Sequence, residues 1–175
     1  MGGRKAHELR DANRHLTIRK YHSVGYFNVT IDRKAGNESH REPIKAKLIE
    51  ADVNLTGGSK GLPAYSDSPN AVYVIIDEKS KTIERVRIYD SECVGIWDFE
   101  GHEYHGEFII HEHKLDFDRT PPYIHVKNTA SDKKRKGGHE DDHRPVTQEH
   151  YEMYKELIDL LGKFPNEIPS FVKRV

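Results

Sequence analysis

Cysteine is almost absent from this chain, because its 175 residues include only Cys93. A single cysteine excludes an intramolecular disulfide framework and a cysteine-rich zinc site. This usage is typical of proteins in a reducing compartment, and the first residues lack the apolar segment of a secretory signal. The sequence therefore predicts a cytoplasmic protein.

Long apolar runs and an excess of one charge are missing as well. No segment approaches the ~18 consecutive apolar residues of a membrane span, so we expect no membrane contact. The 28 Lys and Arg residues nearly cancel the 29 Asp and Glu residues, which leaves a formal net charge of −1. A protein that coats nucleic acid non-specifically usually carries a clear basic excess. Any contact with nucleic acid would therefore use a local basic patch.

Three functional motifs are absent too. The glycine-rich stretch 56–70 contains neither GxxxxGK[ST] nor GxGxxG, which excludes a nucleotide-phosphate loop of either type. No HExxH motif occurs, which excludes a zincin protease. The chain is nevertheless long enough for one ordinary domain with its own hydrophobic core.

Hydrophobic periodicity predicts a single α+β domain over residues 1–175, with a mostly antiparallel β-sheet and one C-terminal amphipathic helix packed on it. The helix is predicted to begin after Thr147 as its N-cap and to end at Leu161, just before Gly162. A continuous apolar segment, 71–77, is followed by an alternating one, 82–90, and the two are expected to form a hairpin.

The sequence pattern also predicts where the strands, loops and terminal segments lie. Strands are expected within 15–32 (with a break near 23–25), 44–55 (where a short helix is the alternative), 71–77, 82–90, 96–99, 108–115 and 123–127. Polar or Pro/Gly-rich composition predicts a polar N-terminal arm (1–14), loops at 33–42 and 56–70, a charged loop (129–146) and an extended tail (163–175).

Histidine is the residue present in excess. Seven of the 12 histidines lie between residues 102 and 143. They are His102, His105, His111, His113, His125, His139 and His143. Imidazole has the unperturbed pKa nearest neutrality and is the commonest metal ligand. This concentration predicts acid–base chemistry, metal binding, or both.

The HEH motif at 111–113 is the centre of this region. It lies within a predicted strand, where side chains two residues apart project from the same face, about 6–7 Å apart. Both imidazoles can then reach one metal ion or one scissile phosphate. We expect strand pairing to bring His125 beside them, and His102 and His105 to reach the site from the preceding loop. The alternative is a solvated strand face that carries solitary histidines.

Two chemistries fit such a site, and the sequence leaves both open. In the first, paired imidazoles act as acid and base in phosphodiester cleavage while a cation stabilises the phosphate charge. The candidate catalytic residues are His111, His113, His125 and Arg144. In the second, two or three histidines and a carboxylate hold one divalent ion (zinc, manganese or nickel) that activates water. The candidate metal ligands are His102, His105, His111, His113 and Asp98.

A basic run after the last predicted strand, together with a lysine at the end of that strand, is the candidate nucleic-acid contact. The residues predicted to bind phosphate are Lys127, Lys133, Lys134, Arg135 and Lys136. The alternative is a solvated loop, because such runs usually remain in water.

The segment KTIERVRIYDSECVGIWDFEGHEYHG, followed by HEH and IHVKN, resembles a histidine-rich pattern in C-terminal modules of phage-associated and polymorphic-toxin proteins. The match covers roughly residues 70–161. The matching residues are Ile88-Tyr89-Asp90, Asp98, His102, His105, His111, His113, His125 and Arg144-Pro145-Val146-Thr147. One departure is Glu92-Cys93, where a turn asparagine or glycine is more usual. The resemblance implies an RNase-like activity and a protein partner of the inhibitor or immunity type.

Three functional hypotheses follow. The first is a small nuclease or phosphodiesterase that cleaves RNA in preference to DNA. The second is a non-catalytic binding protein, of phage type or structural, whose histidines hold a metal ion or contact a protein partner. The third is an interaction module whose histidines only tune its response to pH. A catalytic metal site keeps an open coordination position, whereas a structural site is closed and fully ligated.

Overall fold

The computed structural model describes residues 22–35, 38–50, 62, 65–118, 125–128 and 144–174. These residues form one α+β domain with a mostly antiparallel sheet and one α-helix packed on it, which confirms the predicted fold class. The predictions for the N-terminal arm (1–14), for most of the 56–64 stretch and for the basic run 133–136 lie outside the described residues.

Eight described strands form the sheet. In chain order they are β1 (His22–Ala35), β2 (Glu38–Glu50), β3 (Val72–Ile76), β4 (Ile83–Tyr89), β5 (Gly95–Tyr104), β6 (Glu107–Asp118), β7 (His125–Asn128) and β8 (Phe171–Lys173). Their order across the sheet is β7-β6-β5-β4-β3-β2-β1-β8. Neighbouring strands are antiparallel, except that β2 and β3 are parallel. The predicted 71–77/82–90 hairpin is confirmed as β3 and β4.

Strand β3 lies in the middle of the sheet and is covered on both faces. Val72 and Val74 belong to the main hydrophobic core. Tyr73 belongs to a second cluster on the opposite face, where its ring lies 4.9 Å from that of Tyr89. Because both faces are covered, the strand is apolar at successive positions, as is usual for a buried central strand.

Helix α1 (Gln148–Ile158) packs on one face of this sheet. The Thr147 side chain accepts a hydrogen bond from the backbone N–H of His150, which confirms the predicted N-cap. Tyr154 packs against Phe99 of β5 with ring centroids 5.4 Å apart, and Leu157 is fully buried. The helix ends three residues earlier than predicted. Among the described residues, no helix combines the length and the apolar character needed to cross a bilayer.

The predicted loop at 33–42 is wrong, because β1 and β2 remain paired as far as Ala35 and Glu38. The side chains from Glu38 to Glu42 are polar and exposed, so this part of the strand has no apolar alternation. Arg33 and Glu42 form an ion pair across it at 2.9 Å. The predicted break near 23–25 is a shift of register within β1 rather than an interruption of the strand.

The predicted extended tail contains two short elements. A 3-10 helix (Pro165–Glu167) precedes β8, which pairs with β1 at the edge of the sheet. Close approach requires glycine at position 25, because a Cβ there would lie 2.6 Å from a ring carbon of Phe171 and 2.7 Å from the carbonyl oxygen of Val172. Residues Phe171–Lys173 thus form a further strand after β7, although the sequence predicted β7 to be the last strand.

Candidate metal centre

Charged and imidazole side chains gather on the face of β4, β5 and β6 that lies opposite α1. We call this surface the polar face, and its residues are Arg85, Arg87, Tyr89, Asp98, Glu100, His102, His111 and His113. Side chains alternate along a strand, so Val86 and Phe99 enter the core while their neighbours point the other way. The strand register sets Arg85 opposite Glu100 and Glu100 opposite His111. Three strands thus contribute to one polar cluster.

Three of these side chains converge on one point, and we call them the Glu100–His111–His113 group. Glu100 Oε2 lies 3.1 Å from His111 Nε2 and 3.5 Å from His113 Nε2. One donor atom from each residue lies within 4.8 Å of the other two. In a tetrahedral site with metal–ligand bonds of about 2.0–2.1 Å, ligand atoms are about 3.3 Å apart. The group therefore has the donor types and the spacing to hold a divalent metal ion.

Glu100 is held in its ionised form. Burial by itself would raise the pKa of this carboxyl group, but hydrogen bonds to His111 and His113 and the charge of Arg85 hold the pKa well below its usual range. Arg85 Nη2 lies 2.5 Å from Glu100 Oε1. A carboxylate must be deprotonated to bind a metal ion, and this one is deprotonated at neutral pH.

Asp98, a predicted metal ligand, is paired with an arginine instead. Arg87 donates from Nε to Asp98 Oδ1 at 2.6 Å and from Nη2 to Oδ2 at 2.7 Å, and both side chains are buried. Its Nη1 donates to the carbonyl oxygen of Leu62 at 3.0 Å. Burial would lower the pKa of Arg87, but Asp98 outweighs that effect and raises it. Because both oxygens of Asp98 accept from Arg87, this carboxylate stands outside the metal-binding group.

Two further predicted ligands, His102 and His105, lie in different parts of the β5–β6 hairpin. His102 lies within β5 rather than in a loop, on the polar face, with its ring centroid 4.7 Å from that of His111. His105 is exposed in the two-residue turn, where its φ of 49° and the φ of 82° at Gly106 suit a tight hairpin. It lies about 16 Å from Glu100 along the strand direction. Strand β5 thus places His102 beside the Glu100–His111–His113 group and places His105 far from it.

Strand β7 pairs with the far end of β6. The backbone of His125 is opposite Asp118, and that of Lys127 is opposite Asp116. This register does not set His125 opposite His111 or His113, contrary to the expectation from the sequence. The side chains of β7, the basic residues 133–136 and the histidines at 139 and 143 lie outside the described residues. Their predicted roles stay predictions.

Arg144, the predicted phosphate clamp, lies on the α1 side of β6. Its Nε is 3.8 Å from Oε1 of Glu112, a carboxylate with 0% exposure that points away from the polar face. The same oxygen accepts a hydrogen bond from the backbone N–H of Thr147 at 2.9 Å, and Oε2 contacts His150 Nδ1. The structure therefore sets Arg144 with Glu112 and His150, and apart from the Glu100–His111–His113 group.

Sequence reasoning missed Arg85 and His150 and left Glu100 out of the ligand set. Glu100 had a signal, because D-F-E-G-H at 98–102 alternates in the way a strand with one polar face does. Glu112 had one as well, since the residue between two same-face histidines must point to the opposite face. No sequence signal identified Arg85 or His150, the partners that complete the two clusters, because their contacts depend on strand register and on where α1 packs.

Comparison of the chain with protein-family models, with curated proteins and with solved structures gave no match. The resemblance to phage-associated and toxin modules therefore stays a prediction.

Proposed function

We propose that this protein binds one divalent transition-metal ion through Glu100, His111 and His113 and uses it to hydrolyse phosphodiester bonds, in RNA before DNA. The observation that carries the proposal is the convergence of two imidazole nitrogens and one carboxylate oxygen at ligand spacing. Two histidines and one carboxylate are a known catalytic zinc set, in which water or substrate takes the remaining position. Zinc, manganese and nickel all accept these donors.

The geometry favours metal-assisted chemistry over a pair of unassisted imidazoles. An acid and a base in phosphodiester cleavage must each reach a different oxygen of the substrate. Here the Nε2 atoms of His111 and His113 both face Oε2 of Glu100, and both residues are buried. Nitrogens that converge in this way suit one shared ion better than two separate proton transfers.

The charges of the polar face favour an anionic substrate. Arg85 and Arg87 carry two positive charges, and Asp98 and Glu100 carry two negative charges, so the four cancel. With neutral imidazoles as ligands, a bound divalent ion would keep its full charge of +2. In a partly buried site this charge attracts a phosphate group strongly. A phosphodiester therefore suits the site better than a neutral ester or an amide.

The reaction is hydrolysis. The oxygen of a water molecule forms a new bond to phosphorus, the ester P–O bond breaks, and the leaving oxygen takes up the proton that the water releases. A bound divalent ion supplies two effects: it makes water a stronger nucleophile and it neutralises phosphate charge. Because His102 lies beside His111 on the polar face and is partly exposed, we propose that its imidazole carries the proton.

One observation favours a second candidate, a structural metal site in a non-catalytic binding protein. The three ligand side chains are largely covered, with exposed fractions of 16% for Glu100, 1% for His111 and 8% for His113. A structural site is closed, whereas a catalytic site needs access for its substrate. The two candidates agree on the ion and differ on cleavage.

The test combines metal binding with cleavage. Purified protein is analysed for bound metal, titrated with Zn²⁺ by calorimetry, and incubated with end-labelled RNA and DNA with and without chelator. We expect one ion per chain and cleavage that stops in chelator. His111→Ala should weaken metal binding by more than the ~10–100-fold that is typical of losing an outer-sphere partner. His40→Ala is the matched control, because that imidazole is 62% exposed on β2.

Each result decides between the hypotheses. Metal binding without cleavage of either nucleic acid would contradict the hydrolase proposal and support the structural metal site instead. Cleavage that survives chelation but is lost in His111→Ala would support the paired imidazoles instead. If the wild-type protein binds no ion, or His111→Ala binds as tightly as His40→Ala, the metal centre is refuted.

A further inference from the structure

The two oxygens of Glu100 face different partners. Oε2 points to the imidazoles of His111 and His113, at the place where a metal ion would bind. Oε1 lies 2.5 Å from Nη2 of Arg85, on the β4 side. A carboxylate binds a metal ion through one oxygen or through both, and here the second oxygen is already held by a guanidinium group.

Arg85 is itself held in place. It occupies the position on β4 directly opposite Glu100, and its Nη1 lies 3.9 Å from Oδ2 of Asp98 on the same face. Its side chain is 21% exposed, so the ion pair with Glu100 is largely shielded from water. Arg87, the other arginine of the polar face, donates to Asp98 and to a backbone carbonyl. Arg85 therefore contacts Oε1 of Glu100 directly, whereas these hydrogen bonds of Arg87 go to other groups.

We infer that Arg85 is a positioning residue that restricts Glu100 to one-oxygen coordination of the metal ion and so keeps a coordination position open. This inference rests on the proposed metal site. With Oε1 held by Arg85, the Glu100–His111–His113 group offers three ligand atoms. Without Arg85, Oε1 is free to turn toward the ion and occupy the position that water or substrate needs. Outer-sphere partners of this kind orient ligands and tune affinity.

The experiment measures Co²⁺ binding to the full-length protein by visible absorption and by calorimetry. Co²⁺ takes the same donors as Zn²⁺, and its visible absorbance falls as its coordination number rises. The variants are Arg85→Met, which removes charge and donors, and Arg85→Lys, which keeps the charge but loses the planar fork. Arg41→Met is the matched control, because Arg41 is exposed on β2. Circular dichroism verifies folding.

We expect the Co²⁺ complex of Arg85→Met to absorb more weakly in the visible range than that of wild type, because Oε1 of Glu100 then occupies the position that Arg85 had kept open. Arg85→Lys should lie between the two, and Arg41→Met should match wild type. The same visible spectrum in Arg85→Met and wild type would overturn the inference while leaving the metal site intact. If Arg85→Met does not fold, an unchanged Arg85→Lys would overturn it. A wild-type protein that takes up no Co²⁺ would overturn both the inference and the proposed function.

Discussion

The buried ion pair between Arg87 and Asp98 allows a sharp test of how the polar face is stabilised. The change is Asp98→Asn, which keeps the shape of the side chain but removes its charge. The amide oxygen can still accept one of the two hydrogen bonds at 2.6 and 2.7 Å. The amide nitrogen then meets an N–H of Arg87, so two donors face each other and the guanidinium charge is left without its counter-ion.

The expected loss of stability follows from burial. Arg87 is 4% exposed and Asp98 is 3% exposed, so water cannot replace the missing carboxylate oxygen. Removing one partner of a buried ion pair costs about 3–5 kcal/mol. That is a large share of the ~5–15 kcal/mol by which a typical domain is stable. With a urea m-value on the order of 2 kcal/mol/M, the unfolding midpoint should fall by about 1.5–2.5 M.

The assay is urea unfolding followed by circular dichroism, with Zn²⁺ titration of the folded variant. The control is the double variant Arg87→Met/Asp98→Leu, which removes both charges and should lie closer to wild type than Asp98→Asn. Folded Asp98→Asn should still bind metal, because Asp98 contributes no ligand. A midpoint within about 0.5 M of wild type would refute the reasoning about the pair. Loss of metal binding in the folded variant would return Asp98 to the ligand set.

Two further predictions concern the hydrophobic core and alkaline pH. Leu157→Ala should lower the free energy of unfolding by about 2–5 kcal/mol, measured by urea unfolding, because Leu157 lies on α1 and its side chain is fully buried in the main core. A loss under about 1 kcal/mol would contradict this prediction. Burial raises the pKa of Tyr89 well above its usual value, so the folded state keeps a proton that the unfolded state loses above about pH 10. Above about pH 10, the free energy of unfolding should therefore fall with rising pH in wild type more steeply than in Tyr89→Phe, by about 1.4 kcal/mol per pH unit. Equal slopes in the two proteins would contradict this prediction.

The sequence predicted the fold class because its signals are local. The continuous apolar run of β3 and the alternation of β4 indicate strands without reference to the rest of the chain. Thr147 marks the start of α1 by the chemistry of its own side chain. The loop predicted at 33–42 was wrong for the converse reason, since the end of the β1–β2 hairpin is stabilised by cross-strand contacts such as Arg33 with Glu42. Polar composition there concealed a regular strand.

The candidate site was predicted only where it depends on one strand. His111 and His113 share a face because of the two-residue period of a β-strand, which the HEH motif reveals by itself. Glu100 joins them, Asp98 pairs with Arg87, and Arg144 lies on the α1 side of β6, because the register of β4, β5 and β6 and the packing of α1 set which side chains meet. A slip of one residue in any of these three strands would turn the side chains of that strand to the opposite face. The sequence by itself thus determined the donors, and only the tertiary structure decided which of them share a site.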